Sequence, residues 1–329
     1  MTTTFRPAPP AAADRVAWPD SFGTRFVVFV DTEEEFDWEQ PLARDNRSVT
    51  AIAALPGAHV RFAAAGVPLA LMVDHPVATD TSAIDLIGPL LGNGTAIGTQ
   101  LHPWVNPPFD EEPIPANSFA GNLPRALEEA KLVALTEAIE AAFGARPTAY
   151  RAGRYGLGPA SFELLAKHGY RLDSSMRPGF DYAPDGGPDF SALDNHAFRA
   201  GGIVELPLTT VYTGAARGAG AGLYRAAGAI PKGRGVLARL RLLQRIPLTP
   251  EDIPVREALQ AIRVAVDDGV RVLSFAFHSP SLVPGHTPYV KNAADLARFW
   301  DWWDKVLTEL DRLNVKPAGL DDMIVAAGG

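Results

Sequence analysis

Short, almost wholly apolar runs that end on a carboxylate or an imidazole recur along this chain, with helical stretches between them. Arg25–Asp31 (RFVVFVD), Val67–Asp74 (VPLALMVD) and Val270–Phe277 (VRVLSFAF, followed by His278) are such runs, and Ala96–His102 is a more polar strand that also ends on a His. A run of this length with no polar alternation is expected of a strand buried on both faces. Helices are expected over Ser48–Ala65, Ser82–Leu91, Asn122–Phe143, Pro159–Lys167, Glu251–Asp268 and Ala293–Leu313. Shorter strands are expected at Thr148–Arg151, Tyr170–Asp173, Ile203–Leu206 and Val315–Ala318, with a terminal helix from Leu320. This rhythm implies a parallel α/β sheet with crossover helices, either barrel-like or doubly wound. In both, ligands meet the C-terminal ends of the strands.

Composition narrows the function classes. The 329 residues include no cysteine, which excludes disulfides, a thiolate nucleophile and any Cys-ligated metal. A net charge of −8 argues against nucleic-acid binding. No apolar run approaches a membrane span. Residues 1–24 are Ala/Pro-rich, and their prolines and Asp14/Arg15 interrupt any signal-peptide core. They are expected to be a flexible leader, and the protein to be cytoplasmic. Residues 25–329 show no linker or repeat and read as one domain. Within them, residues 206–250 hold seven bases and no acid, so the rest of the chain is more acidic than the total suggests. The stretch of about 208–248 reads as a basic Gly/Ala-rich insertion, solvated and with one helix near Val236–Ile246. The alternative is a cover over an anionic substrate or a membrane surface.

The polar strand ends give the candidate site: Asp31 and Glu33, Asp74, Gln100 and His102, Arg151, Asp173 and His278. Asp31 and Glu33 alternate along extended chain and so point the same way. Two close carboxylates suit an acid/base pair or a base beside a metal ligand. Glu34, Glu35 and Glu39 read as solvated, and His59, His168 and His196 as structural.

Five segments, in order, resemble the motifs of polysaccharide deacetylases of the nodulation-protein-B type, carbohydrate esterase family four. They are VFVDTEEEFDW, AIGTQLHPW, YRAGRYG, YRLDSSM and LSFAFHSPS. The first, with LHPWVNPPF and FHSPSLVPGHTPYV, looks most like the WalW-type branch. The resemblance implies a deacetylase-like fold, a distorted (β/α) barrel with about seven parallel strands. It also implies removal of N- or O-acetyl groups from a polysaccharide or oligosaccharide by water. Asp31 matches the base, Arg151 the residue that holds it, His278 the acid, and Asp173 the group that orients the His. Glu33 matches the metal-binding acid, with His102 and, as an added carboxylate, Asp74 completing the expected set; Gln100, Trp104, Arg154 and Tyr155 are expected against the substrate.

The family's His-x-x-x-His metal pair is incomplete here, because Gln100-Leu101-His102-Pro103-Trp104 offers one imidazole. An oxygen-rich site favours manganese, cobalt or magnesium at least as much as zinc. The competing readings are a metal-independent C–N hydrolase on the same fold and a non-catalytic sugar-binding relative.

Overall fold

Alternation along the first strand decides which side chains face the interior. The computed structural model describes residues 4–328. Its strands are β1 (Arg25–Thr32), β2 (Leu69–Val73), β3 (Ala96–Leu101), β4 (Ala149–Ala152), β5 (Leu172–Asp173), β6 (Phe198–Ala200), β7 (Ile203–Glu205), β8 (Thr210–Thr213), β9 (Gln244–Pro247), β10 (Val272–His278) and β11 (Lys316–Pro317). Seven run parallel in the order β10-β1-β2-β3-β4-β5-β7. β6 extends one edge antiparallel to β7, and β11 pairs with the start of β1. The sheet curls into a partial barrel, the distorted (β/α) barrel expected from the sequence.

Two apolar cores follow from the pleat. Val27 and Phe29 join Ala70, Met72, Ala149, Leu172, Val204 and Val272 inside the curve. Phe26, Val28 and Val30 face outward, where Phe62, Leu135, Ile262 and Trp303 of the surrounding helices cover them. Each such side chain, fully buried, contributes about 1.5–3 kcal/mol. Leu320, Met323 and Ile324 of the helix Leu320–Ala326 join the inner core.

Two expectations differ from what is observed. Residues 4–24 are not loose: the Val16 N–H donates to the Ala197 carbonyl at 2.8 Å, and Val16, Trp18 and Phe22 pack on the inner core. Apolar residues placed between the prolines supply that anchorage; residues 1–3 of the expected leader lie outside the described residues. The basic segment forms helices Gly220–Gly228 and Gly233–Arg239, flanked by the antiparallel pair β8–β9. The expected helix near Val236–Ile246 stops early, because Arg241 adopts a left-handed backbone (φ 53°) before β9 begins. Val211, Ile246 and Leu248 of this ribbon are buried. The ribbon meets β10, where Ala276 N–H donates to the Leu248 carbonyl at 3.3 Å and Ser274 N–H to Thr209 Oγ1 at 2.8 Å. No described helix is long and apolar enough to cross a membrane.

Candidate active site

Continuing the parity of Val27 and Phe29 puts Asp31 on the inner face at the carboxyl end of β1. Asp31 is in register with His278, the last residue of β10. Asp31 Oδ2 lies 3.7 Å from His278 Nε2. Each is held from behind by a different partner. Arg151 Nη1, from the inner face of β4, donates to Asp31 Oδ1 at 2.5 Å. His278 Nδ1 lies 2.7 Å from Glu251 Oε2, while the His278 backbone N–H donates to Glu251 Oε1 at 3.1 Å. Burial opposes charge on the imidazole, but Glu251, Glu33 and Asp31 outweigh it and hold the His278 pKa well above the usual range. Burial would raise Glu251, yet His278 and Ser281 keep it below its ordinary value.

Beside this pair lies a second group. Gln100 Nε2 donates to Glu33 Oε2 at 2.9 Å and sits 3.1 Å from His102 Nε2. His102 Nδ1 is 2.7 Å from Glu34 Oε2, and the Trp104 indole N–H donates to Glu34 Oε1 at 2.7 Å. Trp104 also stacks on the His102 ring at 4.4 Å. Burial pushes Glu33 well above the usual carboxylate range and Glu34 up to about 7. Burial takes His102 down to about 4, so its imidazole is neutral. Gly153 matters here: a Cβ at that position would collide with the His102 ring and the Leu101 carbonyl.

Asp74, Glu34 and His102 each bring a donor atom within 4.8 Å of the others, close enough to hold a metal ion. The sequence-derived ligand set of Glu33, His102 and Asp74 is corrected to this extent: it does not gather at one point, because Asp74 lies with Glu34 on the Nδ1 side of His102, while Glu33 lies 3.6 Å from His102 Nε2 and lines the cavity. Asp74 Oδ1 caps the helix His75–Thr79 through the Val77 N–H, and Oδ2 accepts from the Glu34 N–H at 2.8 Å. Glu34, expected to be solvated, is fully buried.

Asp173 is also corrected. It is in register with Tyr150, an outer-core residue, and so faces away from the cavity. It accepts from Ser175 Oγ at 2.5 Å and lies in register with Glu205, both carboxyls being raised by burial. The acid at His278 is Glu251, reached through the loop after β9. Nothing in the spacing marked it, because it approaches from outside the parallel strand order.

A cavity of about 520 Å³ opens over these strand ends, within the usual range for small-molecule sites. Asp31, Glu33, Gln100, His102, Trp104, Arg151, Arg154, Tyr155 and His278 all line it. Trp38 and Tyr289 complete the wall beside His278, with the Trp38 ring edge-on at 5.2 Å. Trp38 lay inside a quoted motif, and its aromatic ring was the signal for it. Arg154 and Tyr155, directly after β4, both adopt left-handed backbone (φ 54° and 62°). Strain of this kind in non-glycine residues concentrates at functional sites.

No family model and no curated protein matches this chain. Solved structures do share its fold. A candidate glycoside hydrolase/deacetylase from Parabacteroides distasonis has a TM-score of 0.58 at 14% identity, over 90% of this chain and 69% of the other. A candidate polysaccharide deacetylase from Mycobacterium smegmatis gives 0.54 at 19% identity, over 98% and 95%. Another, from Pseudomonas aeruginosa, gives 0.51 at 13%, over 97% and 94%. At these identities the likeness is one of fold.

Proposed function

We propose that this protein is a hydrolase that removes acetyl groups from a carbohydrate, with Asp31 as general base and His278 as general acid. The observation that carries the reading is the facing pair itself. One carboxylate and one imidazole meet across 3.7 Å at the cavity floor, each oriented by its own buried partner. Arg151 occupies one oxygen of Asp31 and leaves Oδ2 to take a proton from water. Glu251 keeps His278 protonated, ready to give a proton to the departing amine or alcohol. Hydrolysis of an amide or ester needs one group to take a proton from water and another to give one to the leaving group. The names of the solved structures that share the fold, and the resemblance to the WalW-type branch, support the same substrate class. A cytoplasmic setting is part of this proposal and is read from the sequence alone.

The cavity donors fit a divalent cation. Glu33 Oε1 and Gln100 Oε1 are buried with no hydrogen-bond partner among the described residues. Glu33 and His102 are the residues that would hold it; Glu34 already bonds His102 Nδ1 and so orients the ring, and Asp74 in turn holds the Glu34 backbone. Such an ion supplies polarisation of the acetyl carbonyl and activation of water. A second reading, hydrolysis without metal, is favoured by Gln100: its amide nitrogen faces His102 Nε2, and an amide is a weak ligand for zinc.

Acetate release from a panel of acetylated mono- and oligosaccharides tests the function. Release is expected, and no release from any of them overturns the hydrolase reading. Elemental analysis with assay after dialysis against EDTA separates the two routes: lost activity restored by manganese, cobalt, magnesium or zinc supports the metal. Full activity in metal-free protein supports the second reading.

A further inference from the structure

We propose that the acetylated sugar carries an anionic group, a carboxylate or a phosphate, seated against Arg154 and Arg177. This rests on the deacetylase reading and names its substrate more closely. Three guanidinium groups line the part of the cavity beyond β4, and they are not equivalent. Arg151 has its counter-charge in Asp31. Arg154 donates only to the Ser118 hydroxyl, at 2.5 Å, and lies over the Phe119 ring. Arg177 donates to the phenols of Tyr155 and Tyr182 at 3.3 and 3.4 Å, with the Phe180 ring 4.0 Å away. Neither forms an ion pair with a carboxylate among the described residues.

The surroundings deepen the deficit. Arg245, from β9, stacks on Phe180 at 3.4 Å and donates to the Gly179 carbonyl, so a second unpaired cation stands behind Arg177. Its Nε is buried with no partner among the described residues. Arg245 is the base through which the basic segment reaches this wall. Three acids line the cavity on this side: Glu111 pairs with Lys131 at 3.0 Å, while Glu112 and Asp185 are exposed and form no ion pair with Arg154 or Arg177, so Asp185 acts on Arg154 only at a distance. Arg154, Arg177 and Arg245 are half-buried, and a cation partly withdrawn from water without a counter-charge loses solvation and gains when an anion arrives. Phenol and ring contacts recover only part of that loss. A guanidinium fork matches the two oxygens of a carboxylate or phosphate. The left-handed backbone at Arg154 and Tyr155 places this wall immediately beyond Arg151, so an anion here and an acetyl group at Asp31 belong to one bound molecule.

Binding of four probes to the full chain tests this by calorimetry: N-acetylglucosamine, its 6-carboxylate, and its 1- and 6-phosphates. At least one charged probe is expected to bind tenfold or more tightly than the neutral sugar, with the advantage shrinking as salt rises. Preference for the 6-carboxylate over the phosphates, or the reverse, identifies the anion. Arg177→Gln and, separately, Arg154→Gln are expected to remove most of that advantage, weakening the charged probes several-fold more than the neutral sugar; Arg177→Lys should keep part of it. Equal affinity for all four probes overturns the proposal, as does an equal loss for charged and neutral probes in both folded glutamine variants. Acetate release is measured in parallel. Preference without release supports the anion site and sinks the deacetylase reading, and release without preference does the opposite.

Discussion

In the proposed reaction, Asp31 divides its two oxygens between holding and reacting. Oδ1 is occupied by Arg151, and Oδ2 faces His278 and the cavity. Asp31→Asn keeps the shape but cannot accept the proton of the attacking water. Acetate release per folded molecule is expected to fall at least ~10²-fold, the usual contribution of a general base. The variant also leaves Arg151 without its counter-charge, so a drop in stability of about 1–3 kcal/mol accompanies it. Circular dichroism and a denaturant titration separate the two effects. An Asp31→Asn protein with near-normal turnover would remove Asp31 from the chemistry. His278 ties stability to pH. Its folded pKa is raised, so the stability it contributes is fully present below its unfolded value of about 6.5 and fades as pH climbs through the raised value.

At the scale of elements, the pleat sorts the candidates more sharply than their chemistry does. Asp31, Arg151 and His278 sit at inner positions of β1, β4 and β10, and each lines the cavity. Asp173 sits at a strand end too, but at an outer position beside Glu205. Asp173→Asn keeps an acceptor for Ser175 and is therefore expected to leave both the rate of acetate release and its pH dependence unchanged. A displaced alkaline limb in that variant would return Asp173 to the site. The buried strands and most helices were legible because apolar runs and helical periodicity are local signals. Glu34 and Glu251 were not. An acid in a charged run reads as solvated until the fold brings Trp104 and His102 over it, and Glu251 acquires its role only when the chain leaving β9 crosses to β10. The segment before it misled for a related reason: Gly, Ala and Arg suggested a solvated insertion, while the few apolar residues that anchor the ribbon, Val211, Ile246 and Leu248, are spread too thinly to show as a strand pair.

Across the whole molecule, the parallel sheet supplies the proposed base and acid and the cavity floor, and the chain leaving the ribbon beside β10 supplies the residue that holds the proposed acid. Glu251 thus ties the basic segment to the chemistry: its carboxylate holds His278 by both ring and backbone. The account stands on His278 being protonated at working pH because of that contact. The most direct measurement is the pH–rate profile of acetate release for the wild type and Glu251→Gln, with Asp173→Asn as the control. The wild type is expected to keep activity well above pH 6.5, the ordinary imidazole value, before an alkaline limb appears. Glu251→Gln removes the charge that favours the imidazolium, so its alkaline limb should move to lower pH while Asp173→Asn overlays the wild type. An alkaline limb that stays in place in a folded Glu251→Gln protein would contradict the assignment of His278 as the acid and Glu251 as the residue that holds it.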